Sequence, residues 1–162
     1  MVKKRTAASD PVRVAAGCKD LAALEAAVPD CTGCPRLVRY CAEVKATKVK
    51  RYADWDYWGR PVPGFGDPRA RLYIVGLAPG AHGANRTGRL FTGDRSGDFL
   101  YAGLYRAGLA SQPESIRRGD GLSLSSVYIG AAARCAPPQN RPDPTEFARC
   151  EAYLRRELEL LT

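Results

Sequence analysis

The chain has 162 residues and a net charge of +8 at pH 7, carried mostly by arginine scattered along its length, with 45% hydrophobic and 26% charged residues. That balance predicts one globular domain with a real core and excludes a disordered polar chain. No apolar run approaches the roughly 20 residues that cross a bilayer, and residues 1–18, "MVKKRTAASDPVRVAAGC", lack the apolar stretch of a secretory signal.

A cytoplasmic protein with a basic face and a polyanionic partner is therefore expected, although charge alone leaves open a basic protein without one. In that compartment thiols stay reduced, so the six cysteines suggest metal ligation rather than disulfides.

Residues 1–17 read as a flexible leader. "DLAALEAAV" then sets Leu21, Leu24 and Val28 on one helical face. It runs into "CTGC", which holds Cys31 and Cys34. Cys135 and Cys150 lie far downstream at Cx14C spacing, and the four thiols suit either a structural zinc or an iron–sulfur cluster. Cys18 and Cys41 read as small buried hydrophobes. Residues 45–68, "KATKVKRYADWDYWGRPVPGFGDP", mix lysine and arginine with Tyr52, Trp55, Tyr57 and Trp58; such a segment lines a nucleic-acid groove or packs under solvated charges.

"RLYIV" is the most strand-like run, and the glycine-rich "GLAPGAHGANRTGRLFTGD", residues 76–94, leaves it directly. "SGDFLYAGLYRAGL" predicts a helix with Ser96 as N-cap and Phe99, Leu100, Leu104 and Ala107 inward, and "SVYIGAAA" predicts a second buried strand. The last helix has the clearest start: Asp143 as N-cap, Pro144 at the first helical position and Glu146 completing a capping box. Phe147, Cys150, Leu154, Leu158 and Leu161 then recur at helical spacing. This rhythm of strand, loop, helix, strand and helix is that of an open parallel α/β sheet, whose ligands sit at the carboxyl ends of the strands. The loop is neither a Walker A loop nor a dinucleotide fingerprint. Its glycines let the backbone approach a flat or phosphorylated group, with N–H donors directed at it.

Residues 62–101, "VPGFGDPRARLYIVGLAPGAHGANRTGRLFTGDRSGDFLY", with "RCAPPQNRP" and the four cysteines, resemble the iron–sulfur uracil-DNA glycosylases, and the "GLAPG" form resembles family 5. The resemblance runs from about Cys31 to the C-terminus. It implies a three-layer α/β/α glycosylase-like fold with a central parallel sheet, forming one domain over residues 1–162. It also implies a monomeric DNA repair enzyme, nucleoid-associated in a prokaryote, that flips uracil and other deaminated bases such as hypoxanthine from DNA and hydrolyses the N-glycosidic bond. A structural 4Fe-4S cluster on Cys31, Cys34, Cys135 and Cys150 follows from it, with zinc the lesser alternative.

By the same resemblance Phe91 stacks on the extruded base. Gly76, Leu77, Ala78, Pro79, Gly80, His82 and Asn85 form the base site, with the backbone N–H groups of Leu77, Ala78 and Gly80 as fixed dipoles. The family lacks a polar residue at Ala78, so Asp67 in "GFGDP" is the expected catalytic carboxylate. Gly130 and Ala131 stand where relatives of another family place a base-reading asparagine, which implies a less selective pocket. Family members continue with further strands and a late "HPS" motif, so the chain is expected to be C-terminally truncated relative to them. Two other readings are a non-catalytic, lesion-sensing iron–sulfur protein that binds DNA, and an iron–sulfur electron carrier.

Overall fold

The computed structural model describes residues 8–161. Six helices surround a small sheet: α1 (Pro11–Gly17), α2 (Leu21–Ala27), α3 (Pro35–Thr47), α4 (Ala84–Thr87), α5 (Arg95–Arg106) and α6 (Pro144–Leu160), with strands β1 (Phe65–Gly66), β2 (Leu72–Gly76) and β3 (Val127–Ala131). The strand order is β1-β3-β2. β2 and β3 run parallel, with Leu72 opposite Val127 and Gly76 opposite Ala131. This is the α/β pairing expected of "RLYIV" and "SVYIG". β1 adds an antiparallel edge of two residues, so the sheet is mixed rather than purely parallel. Tertiary placement, not local pattern, makes so short a strand.

Every residue of β3 is buried, as befits a central strand covered on both faces. Val127 and Ile129 join Val62, Leu90, Tyr101 and Leu104 in the main core. A second cluster joins Ala15, Leu24 and Val28 to Tyr153 of α6, and a third joins Leu37, Cys34 and Cys41 to Cys135. The leader expected to be flexible over 1–17 is a helix from Pro11 onward. Asp10 caps it by accepting from the Val12 N–H, and Ala15 is buried in the second cluster. Residues 1–7 lie outside the described residues.

Two helical phases differ from expectation. In α5, Phe99 is 79% exposed and Ala107 is exposed, while Tyr101 and Leu104 face the core. The N-cap is Asp94, whose carboxylate accepts from the Gly97 N–H, and not Ser96. In α6 the capping box of Asp143 and Glu146 is present. The buried face, however, is Glu146, Cys150, Tyr153 and Glu157, and Leu158 is exposed. Glu157 is turned inward by an ion pair with Arg134 at 2.6 Å, both side chains 1% exposed, and by the Tyr73 hydroxyl, which donates to it. Burying these charges is tolerated because each finds the other.

Candidate functional site

Residues 76–94 leave the carboxyl end of β2 and first run on beside β3. Ala132 N–H donates to Gly76 O at 2.9 Å and Ala133 N–H to Leu77 O at 3.0 Å. The backbone N–H groups of Leu77, Ala78 and Gly80 donate to no acceptor among the described residues, so they are available as dipoles. Pro79 is buried beneath them. Further on, Gly80 O accepts from Gly83 and Asn85 N–H groups, and the chain closes into the single turn of α4, ended by Gly88 at φ +77°.

Phe91 lies across Gly76. A Cβ built at Gly76 would stand 2.9 Å from Phe91 Cε2, so the ring packs on the bare backbone where β2 ends. Its own backbone is left-handed at φ 51°, which an aromatic residue rarely accepts. The surrounding bonds hold it there. Tyr101 Oη donates to Leu90 O at 2.9 Å, Thr87 Oγ1 donates to Thr92 O at 3.0 Å, and the hydroxyls of Thr92 and Ser115 are 2.7 Å apart. Gly97 is obligatory beneath, since any Cβ there would overlap Phe91 O. Arg86 straps the loop by donating to His82 O at 2.7 Å and Gly93 O at 3.1 Å.

Three sequence-predicted residues occupy other places. Asp67 is not at the loop. Its N–H donates to Val127 O and its carboxylate accepts from Arg69 N at 2.9 Å and Ser126 N at 2.8 Å, at the amino ends of β2 and β3. Four residues of strand, about 13 Å, separate that end from Gly76. These backbone donors hold its carboxyl below the ordinary range, so it is a turn-closing residue. Asn85 is wholly buried, its Nδ2 donating to Ala81 O at 3.2 Å and Cys41 O at 3.5 Å, and it does not line the loop's surface. His82 Nδ1 is 3.1 Å from the buried Tyr57 hydroxyl. Burial, reinforced by the charges of Arg51 and Arg86, lowers its pKa.

The carboxylate that does reach the loop is Asp94. One oxygen caps α5, and Oδ2 faces the glycines: a Cβ at Gly83 would lie 2.5 Å from it and one at Gly80 3.5 Å. Its signal in the sequence was its standing as the sole carboxylate of residues 76–94, three positions before Gly97.

The cysteines meet in two pairs, Cys34 with Cys150 of α6 and Cys41 of α3 with Cys135. Cys34 and Cys150 are in hydrogen-bonding contact, which, with help from Arg149 and against burial, brings Cys34 down to about 7. The Cys135 thiol feels both Cys150 and Cys31 but bonds Cys41, and that bond and burial push it up. Donors reach the thiols: Gly33 N–H to Cys31 Sγ at 3.5 Å, Ser9 Oγ to the same sulfur at 3.6 Å, and Arg134 N–H to Cys150. Arg134 Nε and Nη1 are buried with no partner among the described residues, and the Arg134 charge acts on Cys150. No group of three or more His, Cys, Asp or Glu that could hold a metal ion occurs among the described residues. The buried thiols and the N–H···S donors around them suit an anionic, thiolate-bound group.

Residues 63–162 match the family profile described as Uracil DNA glycosylase superfamily. A protein named Type-5 uracil-DNA glycosylase from Mycobacterium tuberculosis is 52% identical over 149 residues, 92% of this chain and 56% of the relative. Proteins of the same name from Thermus thermophilus and Pyrobaculum aerophilum are 56% identical over 131 residues and 52% over 130, covering 81% and 80% of this chain and 59% and 57% of theirs. The chain thus spans somewhat over half the length of these relatives. Among the described residues no helix is long and apolar enough to cross a membrane.

Proposed function

Because the chain belongs to the uracil DNA glycosylase superfamily, we propose that it is a family 5 glycosylase that takes uracil, and other deaminated bases such as hypoxanthine, out of DNA and hydrolyses the N-glycosidic bond to leave an abasic site. The observation that carries this reading is the meeting, at the carboxyl ends of β2 and β3, of an aromatic face, free N–H dipoles and one carboxylate oxygen.

In this reading the extruded base lies on Phe91. As the bond from C1′ to the base nitrogen breaks, its electrons leave with the base, and the N–H groups of Leu77, Ala78 and Gly80 stabilise the charge on the base oxygen. Positive charge grows on the sugar, Asp94 Oδ2 stabilises it, orients the water that adds to C1′ and accepts that water's proton, and the departed base anion is protonated from solvent. Gly130 and Ala131 offer no side-chain amide to read the base, in keeping with a permissive pocket. Asp94 replaces Asp67 in this scheme because only Asp94 adjoins the glycines.

Cys31, Cys34, Cys135 and Cys150 would hold a 4Fe-4S cluster, which supplies a structural crosslink between the CxxC turn and α6 and no step of the reaction. The protein acts as a monomer on DNA in the compartment that holds the genome, the cytoplasm of a prokaryote.

The test is base release from a uracil-containing duplex, read by alkali-induced strand scission, with Asp94→Asn and Asp67→Asn alongside. The parent and Asp67→Asn should release uracil and Asp94→Asn should not. DNA retention without release by the parent would assign the chain to lesion binding instead.

A further inference from the structure

A cleft of about 1070 Å³ opens beside α4, between residues 54–60 and residues 117–119. Five cationic side chains line it, Lys45, Arg60, Arg86, Arg117 and Arg118, and the solvent-facing ion pairs Lys45–Asp56 (3.3 Å), Arg60–Asp30 (3.8 Å) and Arg118–Glu25 (2.8 Å) are of the exposed kind that a phosphate can displace. Both tryptophans of the chain, Trp55 and Trp58, are in its wall. Arg60 sits 4.2 Å and Arg118 5.4 Å from the centre of the Trp58 ring, and Arg86 lies 3.8 Å from that of Tyr52 and 4.1 Å from that of Trp55.

Two features point to an anion. Arg86 is 4% exposed and bonds the carbonyls of His82 and Gly93 and the Tyr52 hydroxyl, so among the described residues its charge meets no carboxylate. A buried guanidinium without a counter-ion is costly unless a ligand supplies one. The Arg117 guanidinium, at the rim, has no side-chain partner among the described residues. At about 1070 Å³ the cleft stands at the top of the roughly 300–1,000 Å³ range of small-molecule pockets, with room for more than one nucleotide.

We propose that this cleft is a second DNA contact, adjoining the base-site loop through Arg86, which seats a stretch of single strand: its phosphates lie against Arg60, Arg117 and Arg118, and Arg86 supplies a fixed positive field beneath them. The inference does not depend on glycosylase turnover, because the seat requires no uracil.

Both tryptophans being in the cleft, intrinsic fluorescence reports its occupation directly. The full chain is titrated with uracil-free thymidine strands of about 20 nucleotides, labelled so that anisotropy reports total binding, at several salt concentrations. Arg117→Ser with Arg118→Ser is compared with Arg13→Ser, an exposed arginine on α1. A saturable change in tryptophan emission is expected in the parent and in Arg13→Ser. The double variant should lose most of it, and its slope of log affinity against log salt should be shallower by about 1.4. Binding by anisotropy without an emission change overturns the proposal, as does a double variant with the parental slope. An equal loss in Arg13→Ser would reduce the effect to net charge and overturn it too. If thymidine monophosphate at the same concentration gives the whole emission change, the occupant is a single nucleotide and the strand seat is wrong.

Discussion

Gly83→Ala tests the placement of Asp94 without touching the carboxylate itself. The new Cβ would stand 2.5 Å from Asp94 Oδ2 and 3.4 Å from its Cγ. Relief to ordinary contact, about 3.5 Å, moves the carboxylate by about 1 Å, and because its other oxygen is held by Gly97 N–H at 3.1 Å the group cannot simply swing aside. A displacement of about 1 Å at a reacting centre costs on the order of a hundredfold in rate, or about 2.7 kcal/mol of barrier. Loss of the α5 cap costs a further ~1 kcal/mol of stability, a few degrees in Tm for a domain of this size. Gly80→Ala is the internal control, since its Cβ meets the same oxygen at 3.5 Å, an ordinary contact. Single-turnover release of uracil should therefore fall about a hundredfold in Gly83→Ala and stay near parental in Gly80→Ala. Parental rates in Gly83→Ala, or an equal loss in both, would refute the assignment of Asp94.

Phe91→Ala should weaken binding of uracil-containing DNA by about 1–3 kcal/mol, the worth of one stacked base, while leaving uracil-free DNA nearly unaffected in parallel titrations. Glu157→Gln leaves the Arg134 charge buried and unpaired and should cost about 3–5 kcal/mol in denaturant unfolding, most of it regained in the double variant Arg134→Met, Glu157→Leu. Asp120 is pulled below its ordinary pKa, for although burial works the other way, the N–H groups of Ile116 and Leu122 and the Arg89 guanidinium favour its charged form. A depressed folded value means that its contribution is complete above the unfolded pKa, about 3.9, and is lost as pH falls through the folded one. Asp120→Asn should accordingly flatten the acid limb of stability against pH below about 4.

The two principal strands and the capping box of α6 were legible because each depends on residues close in sequence, whereas the contact of Cys135 with Cys41, read as a mere buried hydrophobe, was not. The helix faces were not. An apolar stripe of Phe147, Leu154 and Leu158 points the eye to one side of α6, yet Arg134, 23 positions upstream, draws Glu157 inward. No local pattern displays such a partner. Asp67 misled for a related reason: an aspartate before proline serves a turn or a reaction equally well in a linear string, and only the register of β2 on β3 reveals at which end of the sheet it lies. Asn85 was read as a ligand contact because polar residues in a glycine loop usually face outward, whereas the single turn of α4 carries it beneath Cys41.

The left-handed backbone of Phe91 bears on how a base is captured. Because Leu90, Thr92 and Gly93 are each tied to buried partners, the entropy of fixing the ring is lost when the chain folds and not when a base arrives. Capture is then governed by how often the DNA opens rather than by rearrangement of the receiving surface. Substitutions at Tyr101 or Ser115, which never meet the base, would reach it all the same by releasing the ring into an ensemble of orientations.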